Sequence, residues 1–372
     1  MGLIVYDHLR EGRRMFFRHL RVRGKNFFQF KGNANQIGTQ ILEHLWNGQY
    51  YNTSIGNYPL FYSRDFGMVI QSLLDLGHKE RVRKTLDYAM DCYKTYGGIK
   101  TYITTFGKPI DFPNVYSPDS VVHMFRSLAI LDDKELIAKY KDFLQFELDK
   151  FYKIATFQIT GEIRRFIHFG GMRDHSKRDG SCYDTVMAAI ISREADHLGL
   201  NNPLKRFNYA EIIEEQFWNG SFFNDDRSST TLTADANIYP FWYGIFDSKE
   251  KIKSAVAAMQ EADLDKPFPI KYVADKKQKG KTIPVEILVN NWEAHSIWPM
   301  SGLPYIDIVG DVNAEQAKMH LLQYKRLIET HGTFLEVYNN KGKPYKSPVF
   351  STDEGMIWVA LYLTLAKEYD LN

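Results

Sequence analysis

Between residues 65 and 330 the chain repeats one unit: an amphipathic helix, a short polar turn, a second helix and then a long aromatic loop. No other feature narrows the fold as far, because a helical hairpin cannot bury its apolar face alone and must stack on others of its kind. In the first unit Phe66, Val69, Ile70, Leu73 and Leu74 share one helical face. The turn at 76–80 carries Gly77, suited to a helix C-terminus. Val82, Leu86, Ala89, Met90 and Tyr93 then form a second helix, stopped by Gly97 and Gly98. Further units begin near Asp119, Tyr183, Asp235 and Ser301, with turns at 131–135, 199–203, 246–250 and 309–313.

One helix is left over at each end, 36–46 and 353–369. The first is followed by a long loop, as every second helix is, and the last is preceded by one, as every first helix is. Paired, they complete a sixth hairpin and close a ring. The pattern predicts an all-α (α/α)6 toroid over residues 36–372, with short β segments in the long loops and the site on the face that carries those loops. Two loop motifs recur: Leu45-Trp46-Asn47-Gly48 as Phe217-Trp218-Asn219-Gly220, and Ser63-Arg64-Asp65-Phe66-Gly67 as Ser351-Thr352-Asp353-Glu354-Gly355. Residues 1–35 form an extension outside the ring, with Arg10, Arg13, Arg14, Arg18, Arg21, Arg23, Lys25 and Lys31 set among phenylalanines. A flap, an oligomer contact, an anionic-ligand patch and a solvated basic face are all open readings of it.

The net charge of +2 gives no reason to expect nucleic acid. No uncharged run approaches the length of a membrane span, and the first residues lack a signal-peptide pattern. Cys92 and Cys182 are too few and too far apart for a disulfide framework or a zinc cluster. His168, His175, His295 and His331 are too scattered to suggest a metal. The expectation is a cytoplasmic protein without cofactor, with a homo-oligomer left open. The 25 Phe, 23 Tyr and 6 Trp suit sugar stacking, although most such residues fill cores.

Cleaving a glycosidic bond with inversion needs a carboxylic acid for the leaving oxygen and a carboxylate across the sugar, roughly 6.5–9.5 Å away, to activate water. Asp65, Asp174, Asp179, Asp225, Asp226, Asp235, Glu293, Glu336 and Glu354 all lie on the expected long loops. Local context favours two of them. Asp174 sits in the glycine-led loop Gly171-Met172-Arg173-Asp174-His175-Ser176. Glu336 sits in Leu335-Glu336-Val337-Tyr338-Asn339, an alternation that points Glu336 away from its apolar neighbours.

These two segments resemble the acid and base loops of six-hairpin glycosidases of the trehalase, processing α-glucosidase I and mannosylglycerate hydrolase group. The acid loop is loosened by one residue, and its preceding Glu-Ser is replaced by His168-Phe169-Gly170. Asn291-Trp292-Glu293-Ala294-His295-Ser296-Ile297-Trp298-Pro299 is similar to the tryptophan segment that lines the sugar pocket there, with Ala294-His295 in place of Gly-Pro. Phe61-Tyr62-Ser63-Arg64-Asp65 resembles the Arg-Asp element that holds sugar hydroxyls, also seen in glucoamylases.

The resemblance implies Asp174 as general acid and Glu336 as general base of an inverting hydrolase of an α-linked glucoside or related small saccharide, with Asp353 and Glu354 as alternative catalytic carboxylates. The substrate-binding candidates are Tyr62, Arg64, Asp65, Arg173, His175, Trp292, Glu293, His295, Trp298 and Tyr338 from these segments, with Trp218 from the recurring loop, equally readable as core. Plainer readings stand beside these: Asp174 paired with Arg173, Lys177 or Arg178, Glu336 as a solvent-facing strand residue, Asp65 as a helix cap. Arg173 and its neighbours also suggest an anionic leaving group such as glycerate. Two rival functions remain on the same ring. One is an epimerase or lyase using His175 and His295, and the other is a carbohydrate-binding toroid without catalysis.

Overall fold

The computed structural model describes residues 6–24, 26–274 and 281–371, so Lys25 lies outside the described residues. The helices are, in order, α1 (Tyr6–Gly24), α2 (Ala34–Leu45), α3 (Ser63–Asp75), α4 (Lys79–Tyr96), α5 (Pro118–Leu131), α6 (Lys134–Ala155) and α7 (Cys182–His197). They continue with α8 (Tyr209–Phe217), α9 (Ala234–Trp242), α10 (Lys249–Glu261), α11 (Pro299–Gly310), α12 (Ala314–His331) and α13 (Val359–Glu368). Helix α3 packs on α5, α5 on α7, α7 on α9, α9 on α11 and α11 on α13, and α13 returns to α3. These six form a closed inner ring, and α2, α4, α6, α8, α10 and α12 surround it. The fold is the (α/α)6 toroid that the repeat predicts.

The two rings differ because they meet different surroundings. Inner helices such as α5 and α11 are buried on nearly every face, so their apolar residues run all round. Outer helices keep an apolar stripe inward, as in α4, where Val82, Leu86, Ala89, Met90 and Tyr93 are buried. The turns end on polar N-caps. Asp133, Asn208, Ser248 and Asn313 each accept a backbone N–H of the outer helix they start, a contact worth about 1 kcal/mol. Helix α2 carries a full capping box between Asn33 and Gln36.

The long loops hold small antiparallel sheets. The strands are β1 (Phe61–Tyr62), β2 (Tyr102–Ile103), β3 (Pro109–Ile110), β4 (Ser176–Lys177), β5 (Asn224–Asp226), β6 (Ser229–Leu232) and β7 (Lys281–Thr282). Strand β2 joins β1 to β3, with Tyr62 opposite Tyr102. Strand β4 pairs with β7, Ser176 opposite Thr282, which ties the Asp174 loop to the segment leading into the tryptophan motif.

The structure corrects two expectations. The last helix starts at Val359 instead of residue 353, because Gly355 takes a left-handed φ of 62° and breaks the turn that the sequence imitates. The N-terminal extension is not simply a solvated basic face. Helix α1 lies on the loop side of the toroid with a largely polar side inward: His8, Glu11, Arg18, His19 and Val22 are buried, while Phe17 and Leu20 are exposed. His8 Nε2 bonds the Asp111 carbonyl at 2.7 Å, His19 Nδ1 bonds Ser351 Oγ at 2.9 Å, and Arg14 donates to the carbonyl of Asn57. No helix among the described residues is long and apolar enough to cross a membrane.

Candidate active site

The ends of the inner helices and the loops before them converge on one cavity of about 630 Å³, roofed by α1. Of the residues singled out above, Tyr62, Arg64, Asp65, Asp174, His175, Trp292, Glu293, Trp298 and Glu336 line it. They come from four segments spread between residues 62 and 336, brought together by closure of the ring.

Helix α3 supplies the first element. Arg64, in its first turn, reaches Asp119 at the start of α5 and Asp174 in the loop before α7, each at 3.2 Å, and donates to the Gly171 carbonyl. The guanidinium thus fastens the acid loop to two inner helices. Asp65 beside it accepts from the Trp358 indole at 3.0 Å. Burial pushes the Asp65 carboxyl up to about 6, against the pull of Arg64 and that indole.

Asp174 is held by Arg64 and by the Gly171 backbone N–H at 3.0 Å. Its neighbours in sequence are engaged elsewhere. Arg173, almost wholly buried, pairs with Asp225 at 3.2 Å, and Arg178 pairs with Asp235 at 2.6 Å. Glu293 ties the acid loop from the other side, accepting the His175 backbone N–H at 2.7 Å and the Ser176 hydroxyl at 2.9 Å. Burial raises the Glu293 carboxyl, opposed by His175. Burial alone would lower His175, but Glu293 and its 2.8 Å partner Glu286 reverse the direction and raise it.

Glu336 lines the cavity while Leu335 and Val337 join the hydrophobic core, as the alternation requires. Its Oε2 accepts the Asp353 backbone N–H at 3.0 Å, and the Tyr58 hydroxyl bonds it. Burial first, and the adjacent Asp353 second, hold its carboxyl well above the ordinary range. The tryptophan segment forms an aromatic wall. Trp292 meets Trp298, Tyr345 and Phe350 edge to face at 4.7, 5.1 and 4.9 Å, and the Trp298 indole donates to the Trp292 carbonyl at 2.8 Å.

The described residues lining the cavity do not include Arg173, Trp218, His295, Tyr338, Asp353 or Glu354. Arg173 is buried against Asp225, which removes it from the leaving-group side. Trp218 belongs to an exit turn of an outer helix. Asn219 Oδ1 accepts from Ser221 and Phe222, Gly220 takes a φ of 99°, and the indole packs on Phe223 beneath Lys251. Trp46-Asn47-Gly48 makes the same turn, with Arg81 over its indole, so this repeat is structural.

His295 is half-buried outside the cavity. Tyr338 is buried edge-on to Phe268 at 5.1 Å, and its backbone pairs with Ile297 at 2.7 and 2.9 Å, aligning the Glu336 and Trp298 segments. Asp353 fastens the loop at 54–58, accepting the Asn57 N–H at 2.7 Å, the Tyr58 N–H at 3.2 Å and the Ser54 hydroxyl. Glu354 pairs with Arg18 of α1, which also lies 3.4 Å from Asp353.

Sequence reasoning missed Tyr58 and, although it left a flap open for the N-terminal extension, the inward polar side of α1. Tyr58 sits in a turn with no motif to flag it. The inward face of α1 is marked by histidine, glutamate and arginine, which read from sequence as solvent-facing.

No family model and no curated relative matches the sequence. Solved structures do. A rhamnosidase from Klebsiella oxytoca with rhamnose bound superposes with a TM-score of 0.63 at 9% identity, covering 91% of this chain and 64% of that one. A glycosidase matches with a TM-score of 0.62 at 12% identity over 97% and 98% of the two chains. The mannosylglycerate hydrolase of Thermus thermophilus, in complex with Tris and D-glycerate, matches with a TM-score of 0.58 at 12% identity over 90% and 100%. The chain therefore has the six-hairpin toroidal fold of these glycosidases.

Proposed function

We propose that this protein is an inverting glycoside hydrolase of an α-linked glucoside or a related small saccharide, with Asp174 as general acid and Glu336 as general base. The observation that carries the reading is the shared cavity. Asp174, Glu336 and the Arg64–Asp65 element face one space walled by Trp292, Trp298 and Trp358. Two carboxyl groups, a set of hydrogen-bonding groups for hydroxyls and aromatic faces are what acid–base cleavage of a sugar requires. The fold supports it, as does the glucose held by an alanine-for-glutamate variant of the glycosidase that the chain matches at 12% identity. The reading is of a cytoplasmic enzyme, in keeping with two cysteines that form no disulfide.

One observation favours exchanging the two roles. Burial beside Asp353 favours the protonated form of Glu336, the form a general acid needs. Aryl α-glucosides with good and poor leaving groups separate the assignments, since an activated leaving group needs no proton. Asp174→Asn that spares the activated substrate makes Asp174 the acid, and Glu336→Gln that spares it reverses the pair. The product anomer read by NMR tests inversion. Release of the α anomer from an α-glucoside would rule the mechanism out.

A further inference from the structure

The cavity has two unlike halves. Its floor carries the buried Asp65, Glu293 and Glu336 with Arg64 and Asp174. Its roof is made by α1 and the segment after β7, and there Leu9, Met15, Phe16, Val285, Leu288 and Val289 face the space. Leu9 is 63% exposed, Phe16 39% and Leu288 53%. Apolar side chains left open around the mouth of a polar site mark a surface that a ligand covers.

Two polar groups of the roof are engaged, and a third, Arg13, lies over the Phe17 ring. Glu11 is bonded by Arg14 at 2.9 Å, and His8 is bonded to the Asp111 carbonyl. Arg64, the cation of the floor, is shared by two aspartates. A second sugar ring set against Leu9, Met15, Phe16, Val285, Leu288 and Val289 would turn hydroxyls toward hydrocarbon, each costly to strip of water. An anionic leaving group would find Arg13 at the rim, over the Phe17 ring, and no help from the buried Arg173.

Resting on the glycosidase reading above, we propose that the substrate is a glucoside with an apolar leaving group: an alkyl or aryl alcohol that lies under α1 while the sugar occupies the carboxylate floor. The roof then supplies affinity by covering hydrocarbon, and the floor supplies orientation and chemistry.

The test is calorimetric binding of methyl, butyl and octyl α-glucosides, maltose and glucosylglycerate to the Glu336→Gln protein, beside turnover of the same compounds by the unaltered enzyme. Affinity should rise roughly fourfold for each methylene that the roof covers. The double substitution Leu288→Ser, Val289→Ser should cost octyl α-glucoside at least tenfold and leave methyl α-glucoside unchanged. A flat alkyl series, or tighter binding of maltose or glucosylglycerate than of octyl α-glucoside, would overturn the proposal. Binding that rises with chain length without turnover by the unaltered enzyme would end the hydrolase reading while leaving the apolar subsite standing. Failure to bind any glucoside would end both.

Discussion

Arg18 is the fastener of α1, and replacing it with methionine keeps its stem while removing its charge. The guanidinium donates to Asn57 Oδ1 at 3.1 Å and to the carbonyls of Ser351 and Thr352 at 3.2 and 3.3 Å, and it faces Asp353 and Glu354. Both acids are buried, at 0% and 2% exposure. Removing one partner of a buried ion pair costs about 3–5 kcal/mol, because the remaining charge is left uncompensated. The toroid need not unfold to relieve it. The remaining anchors of α1 include single hydrogen bonds from His8, His19 and Arg14 and the half-exposed Lys108–Asp7 pair, each contributing about 1 kcal/mol.

The helix should therefore lift and let water reach Asp353 and Glu354. Hydrogen exchange should show α1 amides losing roughly two to nearly four orders of magnitude of protection while the inner helices keep theirs. Arg18 also lowers the proton affinity of Glu336, so its loss moves the Glu336 limb of the pH–rate profile to higher pH. A shift of the acidic limb makes Glu336 the base, and a shift of the alkaline limb makes it the acid. Unchanged protection in α1 together with an unmoved profile would refute the whole argument.

Asp184→Asn tests buried charge. Burial raises its carboxyl from 3.8 to about 6, so its contribution to stability is fully present below about pH 4 and is lost as pH rises through about 6. By linkage, the variant's unfolding free energy should gain on the unaltered protein by roughly 3 kcal/mol between pH 4 and 7; a pH-independent difference in urea titrations speaks against it. Gly56→Ala places a methyl against the Asp353 carboxylate and the Arg18 guanidinium, and a stability loss of about 1–3 kcal/mol should appear in thermal unfolding. Trp358→Phe removes the donor to Asp65, so Asp65 should titrate higher still and the acidic limb of glucoside binding should move up in pH; a fixed limb would remove Asp65 from the binding site.

The ring was legible because hairpin turns, caps and apolar faces are local properties. Asp65, Asp174 and Glu336 reach one cavity because the repeat dictates which loop ends face each other. What escaped was set by contacts far away in sequence. The Ser351-to-Gly355 stretch imitates the start of α3, yet Asp353 turns to the loop at 54–58, and Gly355 meets Ile55 in a left-handed turn. Trp218 looks like a stacking platform until its twin Trp46 shows the same packing. Helix α1 reads as solvated because its buried side pairs with carboxylates and carbonyls of other loops, an arrangement that no pattern of hydrophobicity encodes.

The sixth hairpin pairs the first helix of the ring with the last. Asn35 donates to the Leu371 carbonyl at 2.8 Å across 336 residues. Bringing such distant segments together costs roughly 4 kcal/mol more in chain entropy than closing a local turn, unless the five hairpins between them have already stacked and carry the ends to each other. Assembly then has a direction. During synthesis α2 emerges before the other helices of the ring, with Ile37, Ile41, Leu42 and Leu45 uncovered, and its partners α12 and α13 are the last of the ring to follow. The first helix of the ring waits for the last, and over that interval it is the apolar surface most open to chaperones or to misassembly with another chain.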